Sequence, residues 1–222
     1  MLAFPRERTM RNLLFSILLF IIAQPCMGEE NSKYFVFVGE KISLERVPPK
    51  AGERPFDERF LAKYRVLEPF RGTYRETEIE FTIFDHYGTP PFSKYKYVLL
   101  YVELHDGHYY HSKYQYSPLY KTKSGKWAGP YATYDYEHEY NKHTTIRPEK
   151  IEFTQPVVFY IPSNLTANEA KASFPAPFYK IEGKKAIAVY GNYLDELFLL
   201  KQNGVLKARG DFQQKDLGTK KD

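Results

Sequence analysis

Alternating apolar and polar residues in the first half of the chain predict consecutive β-strands. Ile79, Phe81 and Ile83 alternate with polar neighbours, and residues 97–104 divide in the same way. A period of two places successive side chains on opposite faces of a sheet, so each segment can bury one face. Five strands are therefore predicted in chain order, over residues 33–47, 58–70, 75–84, 95–105 and 108–116.

Glycines mark two special positions in these strands. Gly39 stands inside the first strand and predicts a bulge or a sharp bend there. Asp106-Gly107 separates two strand-like segments and predicts a two-residue hairpin turn. Such a turn pairs His105 with His108 across the two strands and places His111 opposite Val102, on the other face.

The second half of the chain has weaker periodicity. We predict a loop over residues 117–130, a strand within 150–161, and a hairpin of residues 179–182 and 185–190 around Gly183. Residues 163–172 predict a short helix capped by Ser163 or Asn164. Asn203-Gly204 predicts a hairpin of residues 197–201 and 205–209, with a helix over 194–202 as the alternative. The polar, tyrosine-rich residues 131–143 favour no element.

These elements predict a mainly β fold. Five consecutive strands with a bent first strand are typical of an OB-like five-stranded barrel, which we place at residues 29–120. A C-terminal β-rich extension over residues 121–212 is expected to pack on the barrel, with at most one short helix in the whole fold. The polar residues 213–222 predict a disordered tail.

Two phrases of the barrel segment resemble a known family. Residues 62–72 (AKYRVLEPFRG) resemble the "xVLExxKG" strand end of netrin-like (NTR, TIMP-like) OB domains, and residues 97–102 (YVLLYV) are similar to the strand that follows there. The resemblance covers about residues 34–105 and implies the OB fold. Metalloproteinase inhibitors of that family chelate metal with an N-terminal cysteine, which is missing here, so the inhibitory mechanism is not implied.

The first residues predict a secretory signal peptide, residues 1–28. A basic flank ending at Arg11 precedes the apolar residues 13–23, and small residues follow before Glu29. The apolar segment is shorter than the roughly 20 residues that span a bilayer, so we expect no transmembrane anchor after cleavage. A lipoprotein with Cys26 as its lipidated first residue is the alternative. We expect a periplasmic or secreted protein.

Charge and cysteine content exclude several classes. The chain carries +5, of which +2 belongs to the predicted signal peptide, and the remaining +3 is too small to favour nucleic acid. Cys26 is the only cysteine, so cleavage before Glu29 excludes a thiol nucleophile, a thiolate metal site and an internal disulfide. The absence of disulfides favours a bacterial envelope protein. We expect no cofactor.

The histidines supply the enzymatic alternatives. His105 and His108 could hold a metal weakly if a carboxylate completed the site, but two exposed histidines beside a turn explain them as well. Asp85-His86 with Ser93 nearby could serve an envelope hydrolase, although serine catalysis requires three groups that converge in space. We assign no catalytic and no metal-binding residue.

Tyrosines are concentrated in one third of the chain. A sheet buries one face of alternating residues, so some of these tyrosine rings lie on the other face. There they are either exposed and available for recognition or covered by the C-terminal segments, and the sequence does not decide between the two. We predict a non-catalytic binding module for a protein or glycan of the cell envelope or extracellular space. A structural component of an envelope assembly is a further alternative. The candidate binding residues are Tyr114, Tyr116, Tyr120, Lys121, Lys123 and Trp127.

Overall fold

The computed structural model describes residues 34–210, which form a mainly β structure. Strands account for 46% and helices for 19% of the structure, so the predicted fold class is confirmed. The predicted signal peptide over residues 1–28, with Cys26, and the predicted tail over residues 213–222 lie outside the described residues.

Eleven strands and three α-helices make up the described part of the chain. The strands are β1 (Tyr34–Val47), β2 (Glu58–Arg71), β3 (Glu78–Asp85), β4 (Tyr97–His105), β5 (His108–Lys121), β6 (Trp127–Pro130), β7 (Glu149–Lys150), β8 (Val158–Tyr160), β9 (Tyr179–Glu182), β10 (Lys185–Ala188) and β11 (Tyr190–Tyr193). The helices are α1 (Thr133–Tyr136), α2 (Ala167–Ser173) and α3 (Leu194–Lys201), with 3₁₀ turns at Pro91–Lys94 and Glu139–Asn141 and a π-helical turn at Gln202–Leu206.

The first five strands form a closed ring. Their spatial order is β3-β2-β1-β4-β5 with antiparallel neighbours, and β5 also pairs in parallel with β3 at Thr82 and Tyr110. The return of β4 to lie beside β1 makes the order 4-1-2-3 of a Greek key. A ring of five consecutive strands agrees with the five-stranded closure expected from the sequence, and we refer to this ring below as the barrel.

Gly39 allows β1 to bend inside this ring. The β1–β2 register shifts between Val38 and Gly39, which confirms the predicted bulge. A Cβ atom on Gly39 would lie 2.9 Å from the Phe37 ring and 3.0 Å from the Tyr64 ring. Glycine is therefore needed here because the rings inside the barrel pack directly against the backbone.

The first half of β1, residues 34–38, and most of β4 are buried on both faces. One face contributes Phe35, Phe37, Val98, Leu100 and Val102 to the barrel interior. The other face contributes Tyr34, Val36, Val38, Leu99 and Tyr101 to a second core, which is completed by the α3 residues Leu194, Leu197 and Phe198. Burial on both faces explains why residues 34–38 and 97–102 are continuous apolar sequences.

The C-terminal half adds two sheet extensions. Strands β6, β11 and β7 continue the main sheet beyond β5, and β8-β10-β9 form a separate three-stranded sheet. The predicted hairpin around Gly183 is present as the β9–β10 pair. A third core fills this region, with Ile151, Phe153, Val157 and Tyr179 among its members.

The β4–β5 hairpin follows its predicted geometry. Asp106 and Gly107 both have positive φ, 48° and 78°, as a type I′ turn requires. His105 pairs with His108, and His111 lies opposite Val102 on the other face. The sequence argument that separated His111 from the other two histidines is therefore confirmed.

A large bulge interrupts β5 beyond this hairpin. Leu100 pairs with Tyr116 and Val102 pairs with His111, so residues 112–115 lie opposite Tyr101 alone. At the tip of the bulge Tyr114 has a φ of 66°, a strained value for an aromatic residue.

Hydrogen bonds close this bulge at both ends. His111 Nε2 donates to the Gln115 carbonyl oxygen at 2.9 Å. The Arg209 guanidinium donates to Ser112 Oγ and to the Lys113 carbonyl oxygen at 3.3 and 3.0 Å. The bulge is therefore held from the barrel side and from the C-terminal side, which fixes the direction of Tyr114.

His111 should make the fold sensitive to acid. Burial against Phe81 and Phe92 lowers the pKa of its imidazole to about 4, and the Arg209 charge acts in the same direction. The unfolded chain binds this proton near pH 6.5, so stability is lost as the pH falls from about 6.5 to about 4. We expect the parent to lose about 2–3 kcal/mol from this group between pH 7 and pH 4.5.

Urea unfolding of the parent and of His111→Gln at the two pH values measures this contribution. The variant has no imidazole to protonate and should lose that much less stability on acidification. Equal losses in parent and variant would contradict a buried neutral His111.

Several C-terminal expectations are wrong. The described residues contain three α-helices, where we expected at most one short helix. Helix α1 lies in the segment for which we predicted no element, and α3 lies where we predicted a hairpin. The expected hairpin around Asn203-Gly204 is α3 followed by the π-helical turn. The predicted helix after Ser163 is α2, but Thr166 caps it, with Glu169 completing the capping box.

The expected loop over residues 117–130 is also wrong. Strand β5 continues to Lys121, and β6 forms at the end of the segment. Trp127 is 9% exposed and belongs to the second core, so it is not a ring exposed outside the core. The Gly/Pro content of the segment marks a tight turn and a close strand contact rather than an open loop.

Candidate functional site

A cavity of about 220 Å³ lies where β5 and the residues before β4 meet the C-terminal segments. We call it the tyrosine pocket because tyrosines make most of its aromatic wall. Its lining residues are Tyr95, Tyr116, Ser117, Pro118, Gly129, Pro130, Tyr131, Ala132, Thr133, Tyr134, Asp135, Phe159, Ser173, Tyr179 and Leu197.

The pocket is assembled from elements that are far apart in the chain. Tyr95 ends the 3₁₀ turn before β4, while Tyr116 and Ser117 lie on β5. Helices α1, α2 and α3 and strands β6, β8 and β9 supply the remaining lining residues. The barrel therefore forms one wall of the pocket, and the extension forms the others.

Glycines bring β6 and β11 close to that wall. A Cβ atom on Gly129 would lie 2.8 Å from the Pro118 carbonyl oxygen and 3.1 Å from the Leu197 side chain. A Cβ atom on Gly191 would lie 2.0 Å from the Gly129 carbonyl oxygen. Only glycine permits these backbone contacts, which set the position of β6 beside the pocket.

The aromatic rings of the extension brace one another. Tyr131 stacks on Phe178 with 3.8 Å between the ring centroids, and Tyr179 contacts Phe159 edge to face at 6.0 Å. The Tyr179 hydroxyl donates to the Tyr131 carbonyl oxygen at 2.5 Å. On the barrel side, Tyr95 and Tyr116 lie 6.3 Å apart. These contacts hold the ring faces in place before any ligand binds.

A buried ion pair lies at the base of the pocket. Asp135 Oδ1 lies 2.8 Å from Lys201 Nζ, and both side chains are almost completely buried. The Lys201 ammonium also donates to the Tyr134 hydroxyl at 3.3 Å. Burial raises the pKa of the Asp135 carboxyl, although the Lys201 charge beside it acts in the opposite direction. Asp135 lines the pocket, and Lys201 supplies its counter-charge from outside the lining.

Amide side chains attach α1 to α3 around this ion pair. Asn141 Nδ2 donates to the Asp135 carbonyl oxygen at 2.7 Å and to the Leu200 carbonyl oxygen at 2.9 Å. The Tyr136 hydroxyl donates to Asn192 Oδ1 at 2.9 Å. Helix α1 has only four residues, too few to be stable alone, and these hydrogen bonds hold it in place.

Two buried hydroxyl groups near the pocket have no hydrogen-bond partner among residues 34–210. Ser117 Oγ is buried and lines the pocket, and the Tyr101 hydroxyl lies buried on the same outer face of the barrel. A buried hydroxyl without a partner costs about 1–3 kcal/mol. Ser117 lines the pocket, but its Oγ has less than 1 Å² of accessible surface, so a ligand reaches this hydroxyl only if the side chain turns towards the cavity.

The pocket brings together one of the predicted binding residues with several that the sequence did not single out. Tyr116 lines the pocket, whereas Tyr120 and Lys121 line a neighbouring groove. Lys123 forms an exposed ion pair with Glu152, and Trp127 is buried. The candidate residues are therefore not one cluster.

Tyr114 lies in a separate exposed surface that we call the aromatic edge, formed by Phe56, His86, Tyr87 and Tyr114. Phe56 and Tyr87 are 81% and 84% exposed. Phe56 stacks on His86 at 4.2 Å, and Tyr87 lies 6.1 Å from Tyr114. The bulge in β5 aims Tyr114 at these rings.

The histidine candidates remain outside the tyrosine pocket. His86 Nδ1 lies 3.1 Å from the Phe56 carbonyl oxygen and 3.7 Å from Asp57 Oδ1, while Ser93 is buried. His105 contacts Glu103 at 3.3 Å at the exposed hairpin end. Within residues 34–210, no group of three His, Cys, Asp or Glu side chains could hold a metal ion.

Sequence reasoning missed most of the pocket residues. Tyr95, Asp135 and Tyr179 come from segments assigned to other roles or to none, and so does Lys201, the ion-pair partner of Asp135. One signal was available for Lys201: it continues the helical spacing of Leu194, Leu197 and Phe198. A lysine at an apolar helix position requires a buried partner, and the helical reading of this segment would have pointed to one.

Comparison with protein-family models, with curated proteins and with solved structures finds no match for this chain. Among the described residues, no helix has the length and apolar character needed to cross a membrane.

Proposed function

We propose that this protein is a non-catalytic binding module of the cell envelope or extracellular space that holds one sugar ring of a glycan in the tyrosine pocket. The observation that carries the proposal is a pocket with walls of tyrosine, in which the hydroxyl of one lining residue, Ser117, has no hydrogen-bond partner among the described residues. The proposed secreted or periplasmic location is based on the signal peptide expected over residues 1–28.

A sugar ring matches both kinds of surface. Its axial C–H groups present an apolar face that packs on aromatic rings, and its hydroxyls require hydrogen-bond partners. Tyrosine combines an apolar ring with a polar tip, so a tyrosine wall supplies both. The cavity of about 220 Å³ lies below the roughly 300–1,000 Å³ of pockets for drug-sized ligands, which favours a single ring.

The same groups argue for binding rather than catalysis. Among the described residues that line the pocket there is no histidine to activate Ser117. The Asp135 carboxylate is already paired with Lys201. Burial raises the pKa of the Tyr95, Tyr116 and Tyr179 hydroxyls, so these groups remain protonated at neutral pH. Protonated phenols donate hydrogen bonds but do not act as bases.

A protein partner is the second candidate. The aromatic edge favours a protein partner. Phe56 and Tyr87 are large rings that are mostly exposed, so they contribute little to the stability of the fold and are available for contact with another protein. Exposed aromatic residues supply much of the binding energy of protein interfaces. We also keep the netrin-like kinship as a proposal, supported by the five-stranded Greek-key ring.

Ser117→Ala tests the pocket directly. Removal of a buried hydroxyl without a partner should leave the stability of the free protein unchanged or raise it by about 1 kcal/mol. The same change should weaken glycan binding about tenfold, because one hydrogen bond to the sugar is lost. Thermal melting and isothermal titration against a panel of envelope oligosaccharides measure the two effects.

Ser93→Ala is the matched control, because Ser93 is a buried serine that does not line the pocket. It should leave binding unchanged. If no oligosaccharide binds the parent, or if the two variants bind as the parent does, the pocket is not the glycan site. Binding of an envelope protein that is lost with Tyr87→Ala would favour the second candidate.

A further inference from the structure

A second cavity of about 340 Å³ lies directly beside the tyrosine pocket. We call it the lysine groove. Tyr95 lines both cavities and marks where they adjoin. The groove is lined by Lys94, Tyr95, Lys96, Tyr97, Leu119, Tyr120, Lys121, Thr154 and Gln155. A ligand that extends past Tyr95 from the pocket would enter this groove.

The groove has a strong charge bias. Three lysines, Lys94, Lys96 and Lys121, line it, and none of its described lining residues carries a carboxylate. Lys96 has an acidic partner outside the lining, Glu40, whose Oε1 lies 3.4 Å from Lys96 Nζ. Glu40 also contacts Arg65 at 2.7 Å, so its single negative charge is shared between two cations. The groove therefore retains a positive potential.

Aromatic rings hold two of the lysines in place. Lys121 Nζ lies 3.7 Å from the centroid of the Trp127 ring and donates to the Gly125 carbonyl oxygen at 3.0 Å. Lys96 Nζ lies 4.9 Å from the centroid of the Tyr97 ring, which packs on Trp127 at 5.0 Å. Ammonium groups fixed in this way lose less conformational entropy when they bind an anion.

We propose that the glycan is acidic: the unit next to the ring in the tyrosine pocket carries an anionic group that lies in the lysine groove. This inference rests on the proposed function and adds the charge of the ligand to it. The pocket accepts one sugar ring, and the groove attracts an anion. Because the two cavities meet at Tyr95, together they favour an oligosaccharide in which an acidic unit follows that ring.

The test uses pairs of oligosaccharides that share a backbone and differ in charge. Oligomers of galacturonic acid, alginate and hyaluronan are titrated calorimetrically alongside their methyl esters. At least one acid should bind about tenfold more tightly than its ester, and its affinity should fall as salt rises from about 50 to 500 mM, since exposed charges are screened over the Debye length.

Lys94→Gln with Lys96→Gln removes two charges from the groove without touching the tyrosine pocket or the Trp127 contact. Each exposed pair contributes modestly, so the double variant should bind the acidic oligomer about two- to tenfold less tightly. Binding of the ester should not change. Lys50→Gln is the matched control, since Lys50 is exposed and lies outside both cavities.

Each outcome separates the two proposals. Equal binding of acid and ester, lost with Ser117→Ala but not with the lysine variant, overturns the acidic ligand and keeps the glycan pocket. Failure of every acid to bind overturns the inference. Equal competition by a single-stranded polynucleotide would show that the groove attracts any polyanion, and would overturn a glycan as its ligand.

Discussion

Lys201→Met is expected to destabilise the protein by about 3–5 kcal/mol at neutral pH, because it leaves the Asp135 carboxylate buried without its counter-charge. Lys201 Nζ lies 2.8 Å from Asp135 Oδ1, and both side chains are nearly inaccessible to water. Methionine keeps most of the side-chain volume, so the loss measures the charge rather than a cavity. Urea unfolding at pH 8 gives the difference in free energy.

A second substitution should reverse most of this loss. Asp135→Asn with Lys201→Met removes both charges, and a buried ion pair replaced by neutral groups is often close to neutral in stability. The single variant should also recover at low pH, because the raised pKa of Asp135 lets the carboxyl become neutral as the pH falls.

An exposed pair supplies the control for this series. Lys180 Nζ lies 2.6 Å from Glu182 Oε1 at the surface of β9. Lys180→Met should leave the stability nearly unchanged, because solvent screens an exposed pair. A Lys201→Met protein as stable as the parent at pH 8, or a double variant no better than the single, would contradict a buried charge pair at the base of the tyrosine pocket.

Local rules predicted the barrel because they act between neighbours in the sequence. The period-two pattern of Ile79, Phe81 and Ile83 assigns these residues to one face, and all three are buried inside the ring. The Asp106-Gly107 turn fixes the register of β4 and β5 near the turn, and this register separated His111 from His105. Each of these features depends on a few residues and on backbone geometry alone.

The prediction of a hairpin around Asn203-Gly204 was wrong because the helical spacing of apolar residues over 194–201 outweighs the two-residue turn signal. Leu194, Leu197 and Phe198 have helical spacing and pack on the outer face of β1 and β4. Gly204 serves a different purpose from a turn: a Cβ atom there would lie 2.7 Å from Asn141 Nδ2. The glycine allows the π-helical turn to approach the amide that fixes α1.

The tyrosine pocket could not be predicted because its parts meet only in the folded chain. Alternation shows which face of β5 carries Ser117, but it does not show which segment covers that face. The cover comes from α1, in the polar stretch that favoured no element, and from α3. The sequence shows that the chain is rich in tyrosine. Which of these tyrosines surround a cavity depends on how the C-terminal extension packs.

Trp127→Ala is expected to destabilise the protein by about 3–5 kcal/mol, the usual cost of truncating a large buried ring. The ring is 9% exposed and packs on Tyr97 at 5.0 Å, with Lys121 Nζ over its face at 3.7 Å. The sequence placed Trp127 in a loop over residues 117–130, where truncation of an exposed ring would cost little stability. The structure replaces that expectation with the opposite one.

Tyr87→Ala is the matched control for this prediction, since Tyr87 is 84% exposed and its truncation removes little packing. Thermal melting and urea unfolding of the two variants beside the parent give the comparison. Tyr87→Ala should melt within about 1 °C of the parent, whereas Trp127→Ala should melt well below it. If Trp127→Ala melts with the parent, then the indole is not part of the second core, Lys121 is not fixed by it, and the lysine groove loses the rigid support on which its affinity for an anion depends.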